Sequence, residues 1–75
     1  MSKIKVGQIY RKTETKEKFV ISSYRFVEFY CLIYQNGFVS ADVNITFIEN
    51  YCKLIAEYPT WQEAVNSKEF NNETT

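Results

Sequence analysis

The sequence has no histidine, two glycines, one proline and two cysteines in 75 residues, and its nine basic and nine acidic side chains cancel to a net charge of zero. Each scarcity removes a class of function. Without histidine, the commonest general base and metal ligand is missing. Cys31 and Cys52, with no Cys-x-x-Cys spacing and no further ligands, do not compose a zinc site. Balanced charge is neither the basic excess of nucleic-acid binders nor the acidic surface of a DNA mimic. No apolar stretch approaches the ~20 residues that span a bilayer. Met1-Ser2-Lys3-Ile4-Lys5 leads straight into a strand without a signal peptide, so a cytoplasmic location with reduced thiols is expected. No phosphate-cradling glycine loop is present. Glu28 falls on the face of its strand read below as outer, and Ser22-Ser23 has no base beside it. No catalytic residue, metal, cofactor or membrane partner is therefore expected.

Aromatic side chains are abundant: six Phe, six Tyr and one Trp. A chain of this length forms one domain, here expected over residues 1–70 with a frayed tail at 71–75. It buries only ~60–65% of its unfolded surface, and rings that each bury ~150–250 Å² compensate for that. The charges are unevenly placed. Lys3, Lys5, Arg11, Lys12, Lys16 and Lys18 load the first quarter, while Glu57, Glu63, Glu69 and Glu73 tilt the last part acidic. A solvated first hairpin that discourages edge-to-edge aggregation accounts for the basic run.

Val6-Gly7-Gln8-Ile9-Tyr10-Arg11 reads as a first strand, residues 12–17 as a polar turn, and Lys18-Phe19-Val20-Ile21-Ser22-Ser23 as a second strand. Tyr24-Arg25 breaks the run before a third strand. That strand alternates, with Val27, Phe29, Cys31 and Ile33 on the face expected to be core, and Glu28, Tyr30, Leu32 and Tyr34 on the other. Asn36-Gly37 marks a hairpin. A two-residue loop would set Ile33 opposite Ser40. A three-residue loop, Gln35-Asn36-Gly37 with a left-handed Gly37, sets Tyr34 opposite Phe38, Ile33 opposite Val39, Cys31 opposite Ala41 and Phe29 opposite Val43. The second register pairs apolar with apolar and is preferred. Thr46-Phe47-Ile48-Glu49 has capping-box form and predicts one helical turn ending near Tyr51. Lys53-Leu54-Ile55-Ala56-Glu57-Tyr58 suits a fifth strand, with a continued helix as the alternative. Pro59 stops it. Thr60-Trp61-Gln62-Glu63 starts a terminal helix running to Ser67 or Phe70, its apolar stripe anchored by Trp61. The expected fold is mainly β (α+β), a curled antiparallel sheet of four to five strands with one short helical turn and a C-terminal helix.

The outer face then carries more rings than solvent surface needs: Tyr30, Tyr34 and Phe38, with Leu32 between them and Tyr24-Arg25 beside them. Two readings stay open. Either the terminal helix lays Trp61 and Val65 across this face, or Tyr24, Arg25, Tyr30, Tyr34 and Phe38 form a partner-binding site, since Tyr, Phe and Arg are enriched at interfaces. Stacking of single-stranded bases on the same rings, with the basic hairpin beside them, is the alternative that zero net charge disfavours.

Val6-Gly7-Gln8-Ile9-Tyr10-Arg11, the polar turn, Phe19-Val20-Ile21, a long third strand and the bulged hairpin resemble the small SH3-like barrel proteins of phages and prophages. Tyr58-Pro59-Thr60-Trp61-Gln62-Glu63-Ala64-Val65 is similar to short helices of phage accessory proteins. The resemblance covers residues 5–66 and brings no catalytic residues. It implies an SH3-like barrel of viral origin that acts in the bacterial host cytoplasm. There it would bind and redirect or inhibit a host enzyme or defence protein, as a monomer or a homodimer.

Overall fold

The computed structural model describes residues 4–26 and 28–71. Five antiparallel strands form an open, curled sheet in the order β4-β3-β2-β1-β5. They are β1 (Gln8–Lys12), β2 (Lys18–Phe26), β3 (Phe29–Tyr34), β4 (Val39–Asn44) and β5 (Cys52–Glu57), with three short helices, α1 (Ile45–Tyr51), α2 (Trp61–Val65) and α3 (Lys68–Asn71). The strand reading of residues 53–58 is therefore the right one. β2 continues through Tyr24 and Arg25 to Phe26, so that pair does not break the run. Two irregularities in its pairing with β3, between Ile21 and Ser23 and between Tyr24 and Phe26, absorb the twist instead.

Cross-strand register explains which face is the core. Tyr10 pairs with Phe19 and Phe19 with Tyr34, while Ile21 pairs with Leu32. These residues share one face with Ile4, Tyr30, Ile45 and Ile48, and Tyr34, Val43, Phe47 and Cys52 pack against the cluster. The face that alternation assigned to solvent is thus the main core: Leu32 is fully buried and Tyr30 is 6% exposed. Phe29, Cys31 and Ile33, expected inside, are half-buried on the opposite face. The assignment of Val27 lies outside the described residues. Both sets are apolar, so a period of two cannot choose between them. The choice falls to Tyr10 and Phe19, whose stacked rings (centroids 6.0 Å apart) must continue onto Tyr34.

The second face is covered on β1 and β2. Ile9 and Val20 pack there with Ala64 and Phe70, and Ile55, Trp61 and Val65 are partly buried around them. The terminal helix therefore lies against Ile9 and Val20, not against Tyr30 and Tyr34. It is also two pieces. Thr60 caps α2, its hydroxyl accepting from the Glu63 N–H at 3.2 Å. Ser67 interrupts the run, its Oγ donating to the Ala64 carbonyl at 2.6 Å and accepting from the Phe70 N–H. Asn71, expected in the frayed tail, closes α3 by donating to the Val65 and Ser67 carbonyls. The remaining tail positions, 72–75, lie outside the described residues. Lys18, buried on this face, donates to the Glu69 carbonyl at 2.7 Å, and Gln35 donates to that of Phe70, which ties α3 to β2 and to the turn after β3.

The three-residue turn is present: the Tyr34 N–H donates to the Phe38 carbonyl (2.8 Å), the Gly37 N–H to that of Tyr34 (2.9 Å), and Gly37 has φ +89°. Ile33 faces Val39 as expected, but the register slips by one residue beyond Leu32, so Tyr30 faces Val43 and Phe29 faces Asn44. Ala41 and Asp42 together take the place opposite Cys31, with Asp42 at φ +58°. This bulge turns Val43 toward the core. The cap of α1 is Asn44, two residues before the expected Thr46, and its side chain accepts from the Thr46 N–H at 2.7 Å.

Two substitutions separate backbone strain from side-chain loss. A Cβ at Gly7 (φ +98°) would stand 2.2 Å from the Tyr58 carbonyl oxygen, whereas at Gly37 nothing lies within 4 Å. In urea denaturation, Gly37→Ala should cost about 1 kcal/mol and Gly7→Ala upwards of about 2 kcal/mol. The reverse order would show that the β1 approach to residue 58 is misplaced.

Tyr10 gives a pH signature. Burial, and then the Glu57 carboxylate, push its phenol up to about 12 from 10.0. An unfolded tyrosine loses its proton near 10 while the native one keeps it. The contribution of Tyr10 to stability is therefore constant below pH 10 and falls by about 2–3 kcal/mol between pH 10 and 12. Stability measured across that range should show the slope in the parent chain and lose much of it in Tyr10→Phe.

Candidate functional site

Three segments converge at one end of the sheet: the turn between β1 and β2, the Gly37 turn, and α1. The first is rigid for its size. The Lys12 N–H donates to the Glu17 carbonyl (2.8 Å) and the Lys16 N–H to that of Lys12 (2.9 Å), with Lys16 at φ 69°. The Thr13 N–H donates to the Tyr51 carbonyl at 3.0 Å, which ties this turn to the C-terminus of α1. The spacing of Phe47 and Tyr51 at i and i+4 sets them side by side along α1, with centroids 5.7 Å apart and planes tilted by 33°.

Rings run from the interior to the surface. Tyr10 stacks on Phe19, Phe19 lies 5.5 Å from Tyr34, and Tyr34 lies 6.1 Å from Phe38, which is 61% exposed. Between this row and the α1 pair stands Lys12. Its ammonium lies 4.8 Å from the Tyr34 ring centre and 5.8 Å from that of Phe47, and 3.3 Å from the Glu17 carboxylate. The hydrogen bond to Tyr34 raises its pKa, burial opposes the rise, and Glu17 adds to it, so the cation is secured at neutral pH. Cys52, at the β5 end of the same cluster, has its thiol pushed up by burial and drawn down by Lys12.

Lys12 is shared by two depressions. A groove of about 750 Å³ lies between residues 13–15 and Phe47, Asn50 and Tyr51. A shallower one of about 190 Å³ is lined by Glu17, Tyr34, Asn36 and Phe38. Together they make a trough with aromatic walls, amide and hydroxyl groups on the rim, and one neutralised cation at its waist. Such a lining can bury the apolar side chains of an extended segment and bond its backbone through Asn36, Asn50 and Thr13.

The expected site residues do not form one surface. Tyr34 and Phe38 belong to the trough. Tyr30 is core, its hydroxyl donating to the Ile4 carbonyl at 3.2 Å. Tyr24, set edge-on to Tyr30 at 5.3 Å, and Arg25, paired with Asp42 at 3.2 Å, sit five and six residues along β2 from Phe19, the partner of Tyr34, roughly 16–20 Å away. Lys12, Phe47 and Tyr51 were missed. Their signal was present in the helical spacing of Phe47 and Tyr51, which indicates a helix without revealing that its exposed flank faces the first turn. Among the described residues, no three His, Cys, Asp or Glu side chains cluster as metal ligands, and no helix is long and apolar enough to cross a membrane.

The distinction between core and surface rings is measurable. Tyr30→Ala should cost about 3–5 kcal/mol in chemical denaturation, while Phe38→Ala should stay within about 1 kcal/mol. Equal losses would mean that Phe38 is held as firmly as the interior rings.

Comparison with known proteins finds no family model, no curated protein and no solved structure that matches this chain.

Proposed function

We propose that this chain is a non-catalytic protein-interaction module that holds a segment of a protein partner in the trough around Lys12. The observation that carries the reading is the exposure of a ring in each of the two depressions that meet at Lys12: Phe38 at 61% and Tyr51 at 62%. Rings left open to water beside fully buried neighbours are the anchors of an interface rather than spare core. A lining of Lys12 with Glu14 and Glu17 has no basic excess, which favours a protein over a nucleic acid. A standard interface takes ~800 Å² from each side, about a sixth of the accessible surface of 5019 Å².

The finer identity rests on the sequence resemblance to phage SH3-like barrel proteins. On that basis the partner is a host enzyme or defence protein in the bacterial cytoplasm, and the effect is stoichiometric inhibition or modulation.

The test is capture from bacterial lysate with the parent chain and with a Phe38→Ala/Tyr51→Ala variant, followed by mass spectrometry and by assay of the captured protein. One host protein should be retained in stoichiometric amount by the parent, lost by the variant, and altered in activity when bound. Retention by both chains overturns the trough as the site. Salt-sensitive retention of single-stranded oligonucleotide in place of protein overturns the choice of partner.

A further inference from the structure

Lys12 shows how this fold holds a cation. Its ammonium lies 4.8 Å from the Tyr34 ring centre, 5.8 Å from that of Phe47 and 3.3 Å from the Glu17 carboxylate. The larger of the two depressions offers the same kinds of group, rings and a carboxylate, to solvent. Phe47 and Tyr51 form one wall, and Tyr51 is 62% exposed. Glu14 stands across from them on the turn between β1 and β2. The chain is pinned on both sides of it: the Thr13 N–H donates to the Tyr51 carbonyl at 3.0 Å, and the Thr15 hydroxyl donates to the Glu17 carboxylate at 3.2 Å.

The charges in this groove do not balance. Lys12 is engaged by Glu17, and its side chain is only 24% exposed. Glu14 is exposed and has no hydrogen bond or ion pair among the described residues. The last turn of α1 carries no basic residue, and neither Lys16 nor Lys53 lines the groove. One carboxylate beside two rings is left unmatched.

We infer, resting on the trough as the site of partner binding, that this groove takes an arginine side chain of the bound segment, its guanidinium stacked on Tyr51 and paired with Glu14. Charge complementarity selects that occupant. An acidic residue would be repelled by Glu14 and would have to displace Glu17 to reach Lys12. An apolar one would cover the Glu14 carboxylate and leave it without a partner, which is costly. A planar guanidinium answers both features at once, lying flat on an exposed ring and bonding a carboxylate through two N–H groups. An ammonium has neither the flat face nor the paired donors, so arginine is favoured over lysine. The side-chain carbonyl of Asn50, on the same wall as Tyr51, is an acceptor for a remaining guanidinium N–H.

The probes are three capped alanine-valine pentapeptides that differ only at the central residue: arginine, its neutral isostere citrulline, or glutamate. Each is titrated to millimolar concentration into the isotope-labelled full chain and followed by amide NMR. The arginine peptide should shift the amides of residues 13–15 and 47–51. The citrulline peptide should bind about tenfold more weakly, and the glutamate peptide more weakly still. Glu14→Gln, at an exposed position without contacts to lose, should remove the preference for arginine over citrulline. Equal binding of those two peptides at the trough amides overturns the inference and leaves the trough as a protein site. A preference that survives Glu14→Gln, or an arginine peptide that shifts none of these amides, also overturns it. Capture from lysate separates the two levels. A host protein lost by Phe38→Ala/Tyr51→Ala but kept by Glu14→Lys upholds the trough and overturns the arginine contact, whereas loss by both variants supports it.

Discussion

The bulged turn at Gly37 is the constraint from which the rest of the architecture follows. Its left-handed glycine makes Tyr34 and Phe38 the pair that closes the hairpin, and that single register decision propagates across the sheet. With Tyr34 fixed opposite Phe19, and Phe19 opposite Tyr10, one row of rings lies on one face. One step along each strand, Ile9, Val20, Ile33 and Val39 make a row of branched residues on the other. A shift of one residue at the turn would exchange the rows at β4 and set polar Ser40 where Val39 stands. In so small a domain no reserve of buried area would absorb the change.

The two rows differ in how they end, and this difference produces the surfaces. The ring row begins under Ile48 and Leu32 and emerges at Phe38, where α1 supplies Phe47 and Tyr51 as a facing wall. A row anchored in a packed core holds Tyr34 against Phe19 and leaves Phe38, at its end, open to water. Lys12 contributes rigidity of another kind. Clamped by Glu17 and lying over two rings, it keeps the walls apart at the waist of the trough.

Much of this order was legible in the residues. Asn36-Gly37 identified the turn, the apolar match of Ile33 with Val39 selected its length, and Pro59 followed by Thr60 located the start of α2. The inversion of β3 was not legible. Phe29, Cys31 and Ile33 are as apolar as Tyr30, Leu32 and Tyr34, and the tie is broken only by ring stacking two strands away. The second slip, at Ala41 and Asp42, leaves no local mark, since an aspartate in the left-handed region looks like any exposed edge residue. For the site, Tyr34 and Phe38 were found because they flank the turn. Lys12 and Tyr51 were missed because their meeting depends on β5 returning to pair with β1, which carries α1 alongside the first turn. That contact between distant segments comes from the pairing of β5 with β1, and no window of sequence contains it.

Phe38 and Val39, adjacent in the chain, serve opposite faces of the sheet. Pleating requires this once the turn is set: the residue that closes the ring row must be followed by one that extends the aliphatic row. The trough and the aliphatic row are therefore coupled in position, through one hairpin, but separated by the thickness of the sheet.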